Sequence, residues 1–174
     1  MAEMARATEH TVSEARQTSL ELYVTSAEAY ELLAADAGAK LLDVRTPQEY
    51  QFVGHATMAV NIPLATADDE VDPDKGELPW RVNSEFVAQV SEWADQTDQI
   101  LVTCRSGGRS AMAVNALAAA GFTNVFNIID GFEGDLVKDP DSADLGRRRV
   151  NGWKNSHLPW TYDIDPSRMR YRQP

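Results

Sequence analysis

The chain has 174 residues, 43% of them hydrophobic and 25% charged, which is enough for one domain with a sizeable core. No apolar run approaches the roughly 20 residues needed to span a bilayer. The formal charge of −11 excludes nucleic acid and anionic membrane as expected partners.

Residues 1–18 lack apolar periodicity and are expected to form a flexible leader. Met1 to Gln17 is polar, without the apolar centre of a signal peptide, so export is not expected. Leu20 to Val24 suits a short strand. Thr25-Ser26-Ala27-Glu28 forms a capping box that predicts a helix to about Ala35. Lys40 to Val44 reads as an apolar strand. Thr46-Pro47-Gln48-Glu49 is a second capping box, with proline at the first helical position and Gly54 as the closing cap. Ala59 to Ile62 is a further strand, stopped by Pro63. Residues 65–83 read as a solvated acidic loop, in which Trp80 could rim a pocket.

Phe86, Val87, Val90 and Trp93 recur at helical spacing within Ser84 to Ala94. A strand then runs to Cys104, followed by a helix from about Arg109 to Ala120 that is apolar on most of its surface and so expected to be buried. Gly121 ends it, and Asn124 to Ile129 is the next strand. This alternation predicts an α/β fold: a mostly parallel five-stranded sheet with helices on both faces. Residues 1–137 carry 8 basic and 22 acidic side chains, against 8 and 5 in residues 138–174. The run Arg147-Arg148-Arg149 lies in that basic portion, where it reads as a solvated face that could dock an acidic partner.

Cys104 is the only cysteine. One cysteine allows no internal disulfide, which fits a reducing cytoplasm. By type alone it would be a small buried hydrophobe. The residues after it, Arg105-Ser106-Gly107-Gly108-Arg109-Ser110, point elsewhere. Two glycines allow a compact loop with inward amides, a concave nest for anions. The following helix N-terminus favours negative charge and the thiolate form of a cysteine. Arginines at 105 and 109 can fork onto an oxyanion. In parallel sheets, ligands bind beyond the carboxyl ends of the strands, where Cys104 falls.

These features in their order resemble a single-domain rhodanese over about residues 20–160: Leu42-Asp43-Val44-Arg45 with Glu49-Tyr50, Gly54-His55, Asn61-Ile62-Pro63, the loop 104–110, Asp130-Gly131-Phe132, and Gly152-Trp153-Lys154 through Leu158-Pro159. The resemblance divides the chain into a leader (1–18), a rhodanese-like domain (19–160) and a C-terminal tail (161–174). It implies a thiosulfate sulfurtransferase in which Cys104 holds sulfur as a persulfide. Amides from Arg105 through Ser106, Gly107, Gly108 and Arg109 to Ser110 would hold the persulfide, and Arg105 and Arg109 would bind the sulfonate of thiosulfate. Asp43 and Arg45 read as braces for the loop rather than chemical groups, and His55 as a turn residue. No cofactor and no metal is expected, since three histidines and one cysteine give no ligand spacing. With no second cysteine, a separate thiol, cyanide or protein acceptor must take the sulfur.

Two other readings remain open from the residues. A cysteine phosphatase or arsenate reductase uses a related fold with a loop one residue longer and an arginine six residues after the cysteine; here position 110 is serine and the arginine is at 109. A non-enzymatic sulfur carrier or interaction module is the other. Residues 134–151 exceed the usual family connection, and the tail has no family counterpart.

Overall fold

The structure, a computed structural model, describes residues 10–171. In chain order they form β1 (Tyr23–Val24), α1 (Ser26–Ala35), β2 (Lys40–Asp43), α2 (Pro47–Phe52), β3 (His55–Ala56), β4 (Val60–Asn61), β5 (Ala65–Ala67), β6 (Trp80–Val82), α3 (Phe86–Ser91), β7 (Ile100–Thr103), α4 (Gly108–Ala119), β8 (Val125–Ile128) and β9 (Trp160–Thr161). Both predicted capping boxes form. Thr25 accepts from the Glu28 N–H and Thr46 from the Glu49 N–H, and each glutamate reaches back to its cap residue's N–H. Such caps are worth about 1 kcal/mol each and set where α1 and α2 begin.

Five strands make one wholly parallel sheet in the order β1-β8-β7-β2-β4. Alternation along the strands divides the core. Leu41, Leu101 and Phe126 point to one face with Ala29 of α1 and Tyr50 of α2. Leu42, Ile100, Val102 and Val125 point to the other, against Val90 of α3 and Val114 and Leu117 of α4. Burial on both faces explains why these strands read as apolar runs rather than as alternating patterns. The expected α/β architecture, with helices on both faces, is the one observed.

Three segments differ from the sequence reading. Residues 65–83 are not a plain loop: β5 and β6 pair antiparallel as a hairpin. Asn83 pins its base, donating to Pro63 O at 2.9 Å while its N–H reaches Leu64 O. Short strands joined by an acidic turn carry too little apolar pattern to be read. Of the expected leader, residues 1–9 lie outside the described residues, but Glu14–Arg16 form a 3-10 turn held against the domain. Arg16 pairs with Asp135, and its carbonyl accepts from Asn127 at 2.9 Å. The expected tail boundary at 160/161 falls inside β9, which pairs with β3. Further on, the Arg170 N–H bonds Asn61 O at 3.0 Å, joining residues past 161 to the sheet edge.

Candidate active site

The central strand β7 delivers Cys104 to the carboxyl end of the sheet, and α4 starts four residues later. The thiol is 1% exposed. The Gly107 N–H donates to Cys104 Sγ at 3.1 Å, and Ser110 Oγ lies 3.3 Å from the same sulfur. Ser110 has one proton and gives it to Asn127 Oδ1 at 2.6 Å. The contact to neutral Cys104 is therefore S–H donating to the serine oxygen. Asn127 is itself fixed, since its Nδ2 donates to Gly107 O at 3.2 Å and to Arg16 O at 2.9 Å. The first-turn N–H groups of α4 have no acceptor within the helix and add positive potential beside the sulfur.

The loop's shape depends on two glycines. Gly107 caps α4 at φ +100°, and a Cβ there would stand 2.3 Å from Ile129 O. Gly131 has φ +63°, and a Cβ would stand 2.6 Å from Arg105 C and Ser106 N. The segment after β8 thus lies directly on the loop. It is tied there by the Phe132 N–H to Cys104 O at 2.8 Å and the Glu133 N–H to Arg105 O at 3.0 Å. Asp130 supports this turn, accepting from Ser26 N and Oγ at 2.8 Å each and from the Gly152 N–H at 2.9 Å. Burial pushes the Asp130 carboxyl above its ordinary value despite those donors.

The two loop arginines sit differently. Arg105 is exposed and makes no ion pair among the described residues. Arg109, expected to face a donor anion, instead gives both terminal nitrogens to Glu49, at 2.7 Å each. Its guanidinium also lies 5.0 Å over the Trp80 ring. Burial alone would raise the Glu49 carboxyl, but the hydrogen bond and charge of Arg109 overcome it and hold the group below its usual range. Glu49 therefore works twice, capping α2 and orienting Arg109.

Asp43 and Arg45 are fully buried and paired, with Arg45 Nη2 at 2.6 Å from Asp43 Oδ2. Arg45 Nη2 also donates to Gly54 O at 2.8 Å, and the guanidinium stacks 4.4 Å over Phe132. The pair reaches the loop after Cys104 indirectly, by joining the end of β2 to the end of the helix that carries Glu49 and by stacking on Phe132, whose N–H holds Cys104 O. His55 stacks on Tyr50 at 3.6 Å and its Nδ1 bonds Tyr50 O at 2.8 Å; expected as a turn residue, it lies instead in β3, opposite Thr161 of β9. Among the described residues, no three His, Cys, Asp or Glu side chains are placed to hold a metal ion. Sequence reasoning did not mark Asn127 as a site residue, though its signal is visible: an amide within an otherwise apolar, fully buried strand.

A family model for the rhodanese-like domain matches residues 25–136, which include Cys104 and the loop to Ser110. The chain belongs to the rhodanese family. It is 41% identical over 104 residues to thiosulfate sulfurtransferase 16, chloroplastic, of Arabidopsis thaliana, covering 60% of this chain and 78% of that protein. The crystal structure of Rv0390 from M. tuberculosis superposes with a TM-score of 0.63 at 31% identity, over 80% of this chain and 96% of that one. The polysulfide-sulfur transferase homodimer from Wolinella succinogenes, at 17% identity and a TM-score of 0.52, shares the fold, over 84% of this chain and 81% of that one. Membership places this chain among the sulfurtransferases. The rhodanese match ends at 136, so Arg147 to Arg149 and β9 lie beyond it. Among the described residues, no helix is long and apolar enough to cross a membrane.

Proposed function

We propose that this rhodanese moves a sulfane sulfur from thiosulfate to a separate acceptor through a persulfide on Cys104. The observation that carries the reading is one buried sulfur at the carboxyl end of the sheet that accepts from the Gly107 N–H and lies 3.3 Å from the Ser110 hydroxyl oxygen. The Cys104 thiolate attacks the outer sulfur of thiosulfate. The S–S bond of thiosulfate breaks and sulfite leaves with the electron pair, so the sulfane sulfur remains on Cys104 as an anionic persulfide. Once the thiol proton is gone, Ser110 can turn its hydroxyl from Asn127 to the sulfur, adding a second donor to the Gly107 amide. Arg105 is the loop arginine free to meet the sulfonate, and Arg109 positions the loop through Glu49. The chain has no second cysteine, so cyanide, a thiol or a protein thiolate must collect the sulfur in a separate half-reaction. A lone cysteine suits a reducing compartment, and we place the activity in the cytoplasm.

The phosphatase reading is weaker on geometry. The arginine that would clamp a phosphate is five residues after Cys104 and committed to Glu49. Mass spectrometry after thiosulfate treatment tests the proposal. One added sulfur on Cys104, absent from Cys104→Ser, is expected; an unmodified Cys104 together with Cys104-dependent aryl-phosphate hydrolysis would overturn it.

A further inference from the structure

Sulfur can leave Cys104 only toward an acceptor that reaches the loop, so the rim of the loop decides which acceptors fit. One side of that rim is the β5–β6 hairpin. Ala65 opposes Val82 and Ala67 opposes Trp80, which puts these four side chains on one face, while Thr66 and Arg81 share the other. That face borders the active loop, because Trp80 stacks on Arg109. It is nonetheless open: Trp80 is 55% and Val82 77% exposed, with Val71 and Leu78 also exposed in the connecting turn. Apolar side chains concentrated on one exposed element mark an interaction surface.

Charge narrows the partner. Residues 68–81 carry six carboxylates and two cations. Arg81 is taken by Asp68 and Lys75 by Asp72, which leaves Asp69, Glu70, Asp74 and Glu77 without an ion pair among the described residues. Elsewhere beside the loop the charges are mixed, with Arg148, Arg105 and Arg16 near Glu133 and Asp135. There Arg148 Nη1 donates to Gly134 O at 2.7 Å, and the Gly134 N–H donates to the backbone of Arg105. Four carboxylates without an ion pair among the described residues gather on the hairpin's connection, which therefore attracts positive charge.

We propose that the β5–β6 hairpin, through the face formed by Ala65, Ala67, Trp80 and Val82 and the carboxylates of its connecting segment, is the docking surface for a polypeptide sulfur acceptor whose cysteine is flanked by apolar and basic side chains. This inference rests on the sulfur-transfer reading and adds the acceptor class to it. The apolar flank covers Trp80 and Val82, the lysines or arginines meet Asp69, Glu70 and Asp74, and the cysteine thiolate takes the outer sulfur of the Cys104 persulfide. The Cys104 thiolate leaves, and the acceptor carries the persulfide away.

The test uses the full chain and two short synthetic peptides with a central cysteine, one flanked by Leu and Lys, the other by Leu and Glu. Persulfide formation on each peptide is followed with thiosulfate as donor. At about 20 mM salt the basic peptide should react with about tenfold higher kcat/KM, and the preference should collapse near 500 mM, where charges are screened within about 4 Å. The triple variant D69N/E70Q/D74N should lose the preference, and Val82→Ser should slow both peptides, with transfer to cyanide unchanged in each. A serine version of the basic peptide should bind with the same salt dependence, whether or not sulfur moves. Equal use of the two peptides at low salt, or no binding of the serine peptide, would overturn the docking surface while leaving cyanide transfer, and so the proposed reaction, standing. A dimer that buries the hairpin at assay concentration would also overturn it.

Discussion

Removing the charge of Asp43 is expected to destabilise the fold severely without touching the chemistry. The Asp43–Arg45 pair is 0% exposed at both side chains. The carboxylate accepts from Arg45 N at 3.0 Å, from Nε at 3.0 and 3.1 Å and from Nη2 at 2.6 Å. Burial opposes the Arg45 charge, and the attraction of Asp43 outweighs it, holding Arg45 above its ordinary value. In Asp43→Asn that attraction vanishes and a guanidinium stays buried, with Nη1 already lacking a hydrogen-bond partner. Breaking one side of a buried pair costs about 3–5 kcal/mol. For a chain of this length each kcal/mol lowers the melting temperature by roughly 2–4 °C, so a fall of roughly 6–20 °C is expected. Urea and thermal unfolding measure it, and sulfur transfer per folded molecule should persist because the pair does not touch Cys104. The double variant Asp43→Leu with Arg45→Met should recover much of the loss, since a packed apolar pair has no charge to desolvate. A loss below about 1 kcal/mol in Asp43→Asn would refute the account of an energetically committed buried pair.

Three further outcomes follow from the site. Glu49→Gln should cost about 1.5–3 kcal/mol at neutral pH, the value of a charge-assisted hydrogen bond. Because the Glu49 carboxyl lies lower in the folded state than its unfolded value near 4.5, its stabilisation is complete above that value and is lost as the pH falls through the folded value. The gap between wild type and variant in urea unfolding should therefore close with acid; a gap constant from neutral to acid would contradict the pairing. Gly107→Ala should cost at least about 1–3 kcal/mol for the left-handed backbone, and displacement of the loop from Ile129 O should cut sulfur loading about a hundredfold. Loading at the wild-type rate would show that the amide of Gly107 is not needed. Ser110→Ala strips Asn127 Oδ1 of its donor, so a loss of about 1–3 kcal/mol and slower loading from thiosulfate are expected. Unchanged stability and kinetics would remove Ser110 from the site.

What the sequence determined was local. Thr25 and Thr46 start α1 and α2 where their capping boxes stand, because a cap needs only residues three positions apart. The apolar runs ending at Asp43 and Thr103 become parallel strands, and the cysteine with its glycines falls at a strand end, because composition and turn chemistry are properties of neighbouring residues. What only the tertiary structure decided is the partnership between distant segments. Nothing near Arg109 in the chain indicates that Glu49, 60 positions away, takes both its terminal nitrogens, or that Trp80 lies against it. Asn127 reads as an odd amide in a strand until β8 pairs with β7 and brings it to Ser110. The hairpin at 65–82 and the packing of Arg16 against the loop were hidden for the same reason. Hydrogen bonds and ion pairs act over a few ångströms, and chain folding, not sequence spacing, determines which residues come that close.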